Sequence, residues 1–312
     1  MAPAILIIGL WGCGDKTQLF GHHQPAPSAR TPTASDDPQP GAPGSLTAIS
    51  EEIQRKLYDE SLDHTATGRT YFQDDPSLSD LFSQKTATPT SQLCWPAALA
   101  YQMDYESRVR QPALPRLAPP VSSPSEAIRY FTNLCGTDHE VGTTAPQGVS
   151  CLNRYFASAG YDASITVTGV DSKWTSSYPA GKNASPAPVS PKVLQQALDD
   201  DASVILLVGF YETSAGSQKL QRVRGHFISV TGFGHLDLQG DTALTLFVVN
   251  PGVDYTQRGD GQKSFDRIAM VPASAPVGLS LPTDVSYMLR GPGFSQPNEI
   301  ALIESAITFL PQ

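Results

Sequence analysis

Residues 225–234 read Gly225-His226-Phe227-Ile228-Ser229-Val230-Thr231-Gly232-Phe233-Gly234. Apolar, β-branched and aromatic side chains fill this stretch and glycines bound it, which is the pattern of a strand. Val204 to Phe210 before it and Leu244 to Val249 after it read the same way. Gly234-His235 and Gln239-Gly240-Asp241 supply turns, so the spacing predicts antiparallel pairing rather than repeated right-handed crossovers. A further strand is expected near Ile268 to Val271, followed by a proline-punctuated tail.

Helices come first in the chain. Ile49, Ile53, Leu57 and Tyr58 recur near the 3.6 period and predict a helix over Thr47 to Leu62. Cys94, Ala97, Ala98, Tyr101 and Tyr105 share one face of a second helix. Pro96 is tolerated only in the first turn, so Cys94 lies at the N-terminal end. Ser123-Pro124-Ser125-Glu126 is a capping box opening a helix that runs to Gly136. Another spans Gln147 to Ala159, closed by Gly160, and Ser190 with Pro191 opens one through Leu198. Ser164 to Val170 reads as a strand and Tyr178 to Pro188 as a loop. Helices followed by an antiparallel sheet define the α+β class, with a crevice between the two parts.

The 312 residues carry a net charge of −9, which argues against a nucleic-acid partner because no basic excess exists to neutralise phosphates. Charged residues make up 16% of the chain, and the 25 glycines and 27 prolines are one residue in six. That composition predicts long irregular segments. It excludes a helical bundle, a coiled coil and a transporter. No glycine-rich phosphate loop stands between a strand and a helix, and no cofactor is expected.

Residues 3–12 are apolar but shorter than the roughly 20 residues of a spanning helix, and they fit the core of an export signal. Leu10-Trp11-Gly12-Cys13 resembles a bacterial lipoprotein cleavage box, which implies a lipid anchor at Cys13. Gln24 to Ser45 is rich in Pro, Ser, Ala, Thr and Gly and reads as a disordered tether. The expected organisation is signal and tether over 1–46, a domain over 47–275 and a packed C-terminal extension over 276–312. A bacterial envelope or secreted location follows from the signal. Cys135 and Cys151 allow a disulfide, two core thiols, or a three-ligand metal set with His139.

The chemistry gathers at three residues. A thiol at a helix start meets unpaired N–H groups and the helix dipole, which favour the thiolate form of Cys94. A thiolate needs a proton partner and an orienting group. Of six histidines, His22, His23 and His64 sit in the polar N-terminal region, His139 in a helix connection and His235 in a turn. His226 stands at the mouth of an apolar strand with Gly225 beside it. Antiparallel pairing with Leu244 to Val249 brings Asn250 near His226, where an amide oxygen can accept from the far imidazole nitrogen.

Ser91-Gln92-Leu93-Cys94-Trp95-Pro96-Ala97-Ala98-Leu99-Ala100 resembles the nucleophile helix of papain-like cysteine peptidases. The Gly225-His226 strand and Val248-Val249-Asn250-Pro251-Gly252 are similar to the bacterial branch represented by bacteriocin-leader peptidases. The resemblance covers about residues 84–264. It implies a papain-like fold and a Cys94, His226, Asn250 triad, with a glutamine completing the oxyanion hole. Thr88 stands where that glutamine is usual; Gln92 and Gln84 flank Cys94, and Gln92 is the nearer.

The resemblance implies a cysteine peptidase acting on a peptide or protein through a thioester intermediate. The same three residues serve an acyltransferase or transpeptidase, and the same fold serves a catalytically silent protein-binding module. Arg222 and Arg224, just before His226, are candidates for reading an acidic group on the substrate. The sequence leaves the oligomeric state open.

Overall fold

The computed structural model describes residues 71–81, 91–138, 140–169, 183–213, 219–238, 241–253, 265–274, 278–282, 284–291, 293–294 and 299–312. The helix expected over Thr47 to Leu62, Cys13, the tether, Gln84 and His139 lie outside these residues.

Eight strands form one mostly antiparallel sheet: β1 (Ala163–Thr168), β2 (Asn183–Ser185), β3 (Ser203–Thr213), β4 (Leu220–Leu238), β5 (Asp241–Val249), β6 (Asp266–Pro272), β7 (Tyr287–Arg290) and β8 (Glu299–Pro311). Their spatial order is β2-β1-β8-β3-β4-β5-β6-β7, and β7 also pairs with β8. That last pairing closes β3 through β8 into a six-stranded ring. Among the described strands, only β1 and β2 pair in parallel.

Period-2 alternation separates two cores. Val204, Leu206 and Val208 of β3 join Ile228, Leu246, Ile268, Leu289 and Ala301 from the other five strands of the ring in one cluster, its inner face. Ile205, Leu207, Phe227 and Val249 point outward, into a second cluster with the helices. Those helices are α1 (Cys94–Tyr105), α2 (Pro124–Cys135) and α3 (Ala145–Ala159). A fourth, α4 (Pro191–Asp199), packs Leu194 and Leu198 on the inner cluster. Among the described residues, four helices against a largely antiparallel sheet make the fold α+β, as the order of elements in the sequence implies.

Helix α1 is buried from Cys94 to Asp104, lying between α2 and β4. The Ser229 hydroxyl donates to Ala98 O at 2.8 Å and the Trp95 ring meets Phe227 edge-on at 4.9 Å, fixing the helix along β4. Its far end passes into a π-helical turn at Glu106–Arg110. There the buried Glu106 carboxylate accepts from Ser203 and Arg110, and burial raises its pKa.

The capping box of α2 is complete. Ser123 Oγ accepts from Glu126 N at 3.2 Å, and the Glu126 carboxylate accepts from Ser123 N at 3.1 Å. Ser123→Ala is expected to cost about 1 kcal/mol of stability, read as a lower urea midpoint at unchanged m. Gly136 and Gly160 close α2 and α3 in left-handed conformation. Cys135 and Cys151 form a disulfide between these helices, with Cα atoms 4.8 Å apart. The bond overturns the core-thiol and metal alternatives for that pair.

Three expectations change. The proline-punctuated tail after Val271 instead supplies β7 and β8, and β8 lies inside the sheet between β1 and β3. Residues 300–310 hold a proline-free run rich in Ile, Leu, Ala and Phe, while the prolines fall at strand ends or between strands. His235 belongs to β4, opposite Leu244, because that strand continues to Leu238. The stretch expected as a loop over Tyr178 to Pro188 contains the short strand β2.

Candidate functional site

Cys94 is the first residue of α1 and fully buried. Leu93 precedes it as N-cap without a side-chain hydrogen bond, leaving the first backbone N–H groups uncapped by a side chain. Its sulfur is held in a disulfide whose partner lies outside the described residues.

His226 lies on β4 opposite Val208 of β3. On its other side β5 has already ended, since the last β4–β5 pair is Ser229 with Val249. The turn Asn250-Pro251-Gly252 fills the place that a strand would take. His226 Nε2 and Asn250 Oδ1 are 2.7 Å apart, and Gly252 N donates to the same oxygen at 2.9 Å. Two contacts on one acceptor fix the amide orientation. They make Nε2 the protonated nitrogen and leave Nδ1 as the basic one. Burial, with a smaller contribution from the Arg224 charge, overcomes the Asn250 bond and pushes the His226 pKa down to about 4. At neutral pH the ring is therefore uncharged.

The structure thus brings His226 and Asn250 together, as the strand order implied. It treats Cys94 differently. Alternation along β4 turns Phe227 and Ser229 outward to α1 and sets His226 with Ile228 on the inner face. Cys94 stands on the outer side, one residue from the Trp95–Phe227 contact. Beyond the end of β5, Gln73 N donates to Pro251 O and Val253 packs against the outer cluster.

Gln92 occupies a 3₁₀ turn directly before α1. One of its amide N–H groups donates to Glu140 O at 3.0 Å, and its Oε1 is buried without a partner. Arg222 and Arg224 are committed inside the protein. Arg222 makes a two-pronged pair with Glu304 at 2.7 and 2.9 Å, joined by the Tyr211 hydroxyl. Arg224 pairs with Glu299 at 2.7 Å and lies 3.5 Å over the Phe210 ring. The reading of both as contacts to an acidic substrate group gives way to these pairs.

The Arg222–Glu304 pair was not visible in the sequence because two bulges aim it. Register shifts at Phe210/Tyr211 and at Leu207/Val208 leave Val223 and Glu304 unopposed. Gly209 and Gly225, opposite one another on β3 and β4, give the pair room. A Cβ on either would come within 2.2 Å of a Glu304 or Arg222 atom. Two facing glycines were the one signal that could have located it.

No family model and no curated protein sequence matches the chain. Among the described residues no group of three or more His, Cys, Asp or Glu is placed to hold a metal ion.

Proposed function

We propose that this protein is a papain-like cysteine hydrolase of peptide or other amide bonds, with Cys94 as nucleophile, His226 as its base and Asn250 as the orienting partner. The observation that carries the reading is the 2.7 Å His226–Asn250 contact on the strand against which the Cys94 helix packs. The Asn250 oxygen sets the tautomer in which Nδ1 accepts a proton.

The reaction begins with reduction. A dithiol reductant delivers two electrons and two protons to the Cys94 disulfide, leaving two thiols and becoming a disulfide itself. His226 takes the Cys94 proton on Nδ1. The sulfur then attacks the amide carbon and the C=O electron pair moves to oxygen. That oxygen is met by the Cys94 N–H and by the second N–H of the Gln92 amide. Collapse expels the amine, which takes its proton from His226. Water, deprotonated by the same ring, then cleaves the thioester.

A second reading is favoured by two observations: the Cys94 sulfur is in a disulfide, and His226 faces the inner cluster. On that reading the domain is silent and binds a protein partner. One experiment separates them. Alkylation of Cys94 by iodoacetamide is followed at pH 6 after reduction by a dithiol, in the wild type and in His226→Ala. The hydrolase reading expects labelling about 100-fold faster in the wild type, the usual size of a general-base effect. Equal, slow rates of an ordinary thiol in both folded proteins would leave only the silent domain.

A further inference from the structure

The amide of Asn250 is held between two glycines. Gly252 lies on its oxygen edge: Gly252 N donates to Oδ1, and a Cβ there would stand 3.2 Å from that oxygen and 3.5 Å from His226 Nε2. Gly293 lies on its nitrogen edge. A Cβ at Gly293 would stand 3.2 Å from Asn250 Nδ2 and meet no other described atom within 4 Å. Gly293 is exposed and Asn250 is buried, so the glycine is the outer of the two. Its φ of +76° lies in the left-handed region, where a side chain is strained.

The chain around Gly293 is pinned at both ends. β7 pairs with β6 as far as Arg290, opposite Ala269. Gly291 then passes close to β6, where a Cβ would come 3.0 Å from Ile268 Cγ2. Phe294 N donates to Gly291 O at 3.0 Å, and the buried Phe294 ring stacks on Phe210 at 6.1 Å and 12°. Phe210 is opposite Arg224 of β4, two residues from His226, and the Arg224 guanidinium lies over the same ring. The turn that carries Gly293 is therefore fastened to the β3–β4 pair that carries His226. Gly293 and Phe294 both lie beyond residues 84–264, the stretch that resembles a peptidase.

We propose that Gly293 is a positioning residue for the His226–Asn250 couple, so that the C-terminal part of the chain completes the site. An asparagine amide has two orientations related by a half-turn. With Oδ1 toward Nε2, the ring proton sits on Nε2 and Nδ1 is free to accept another. With Nδ2 toward Nε2, the ring proton is driven to Nδ1 and that capacity is lost. Gly252 N favours the first orientation. Gly293 leaves room for the NH2 group on the far edge, where a side chain would push the amide out of line. The proposal rests on the reading of Asn250 as the orienting partner of His226, and it does not require a free Cys94 thiol.

Nitrogen-15 NMR of the full chain labelled at histidine tests it, the His226 signals being those absent from His226→Gln. At pH 7 the wild type is expected to favour the Nε2-protonated tautomer by about tenfold, the preference that one hydrogen bond confers. Gly293→Ala is expected to lower that ratio at least about threefold, because a hydrogen bond weakens steeply when its geometry is disturbed. Should Gly293→Ala fail to fold, Phe294→Leu carries the same comparison, since it keeps apolar bulk and removes the stacked ring. No preference in the wild type, or an unchanged ratio in the variant that folds, overturns the proposal. A structural role alone would move the urea midpoint and leave the ratio where it was. Alkylation of reduced Cys94 separates this outcome from the hydrolase reading. A ratio that falls in Gly293→Ala, with Cys94 labelled equally in the wild type and His226→Ala, upholds the positioning role and removes the hydrolase.

Discussion

Trp95→Ala is expected to lower the unfolding free energy by about 4 kcal/mol, the usual cost of emptying a large aromatic site. Trp95 is fully buried where α1, α3 and β4 meet. Its ring packs edge-on against Phe227, and α3 approaches it at Gly148. A Cβ at Gly148 would lie 2.7 Å from two ring carbons, closer than real Cβ contacts. Gly148→Ala is therefore destabilising on its own, by about 2 kcal/mol of overpacking. The two changes should not add: with the indole gone, the new methyl enters the space it left. A double-mutant cycle by urea unfolding is expected to return a coupling of at least about 1 kcal/mol. Strict additivity would mean that α3 does not seat on Trp95 as described. The indole Nε1 is buried without a partner, so Trp95→Phe is expected to be milder than Trp95→Ala.

What was legible in the sequence follows the local rules that the chain obeys. Pro96 located the start of α1, and the Ser123 and Gly136 signals located both ends of α2, because caps act within one turn. The β3–β4–β5 meander followed from alternating runs and short turns. With it came the proximity of Asn250 to His226. The ring closure did not follow, since β8 reaches β1 and β3 only after long stretches of intervening chain and meets β7 by a short return. The face of His226 was also hidden. A strand pattern fixes which residues share a face but not which face meets the helices. Phe227 and Ser229 settle that only once α1 is seated on them. The disulfide of Cys94 is a third case, because the cysteine count allows several pairings. The Arg222–Glu304 pair depends on bulges, which shift register by one residue and carry no composition signal of their own.

Acid is expected to destabilise the protein through His226. The unfolded imidazole has its ordinary pKa of 6.5, whereas burial holds the folded one at about 4. The unfolded chain thus binds a proton more readily throughout that interval. The stabilisation is complete above pH 6.5 and is lost as pH falls through 4. The depression corresponds to about 3 kcal/mol between those limits. Glu106 works in the opposite sense: its raised pKa favours the folded state at low pH and gives way as pH rises. A single stability profile therefore mixes the two. The difference between the wild type and His226→Gln removes Glu106 and every other common group. That difference should fall by about 3 kcal/mol from pH 7 to pH 4, measured by urea unfolding at half-unit intervals. A flat difference would mean that the imidazole is open to water in the folded protein. The inner-face position of His226 would then be wrong, and with it the assignment of a neutral ring whose Nδ1 serves as the base.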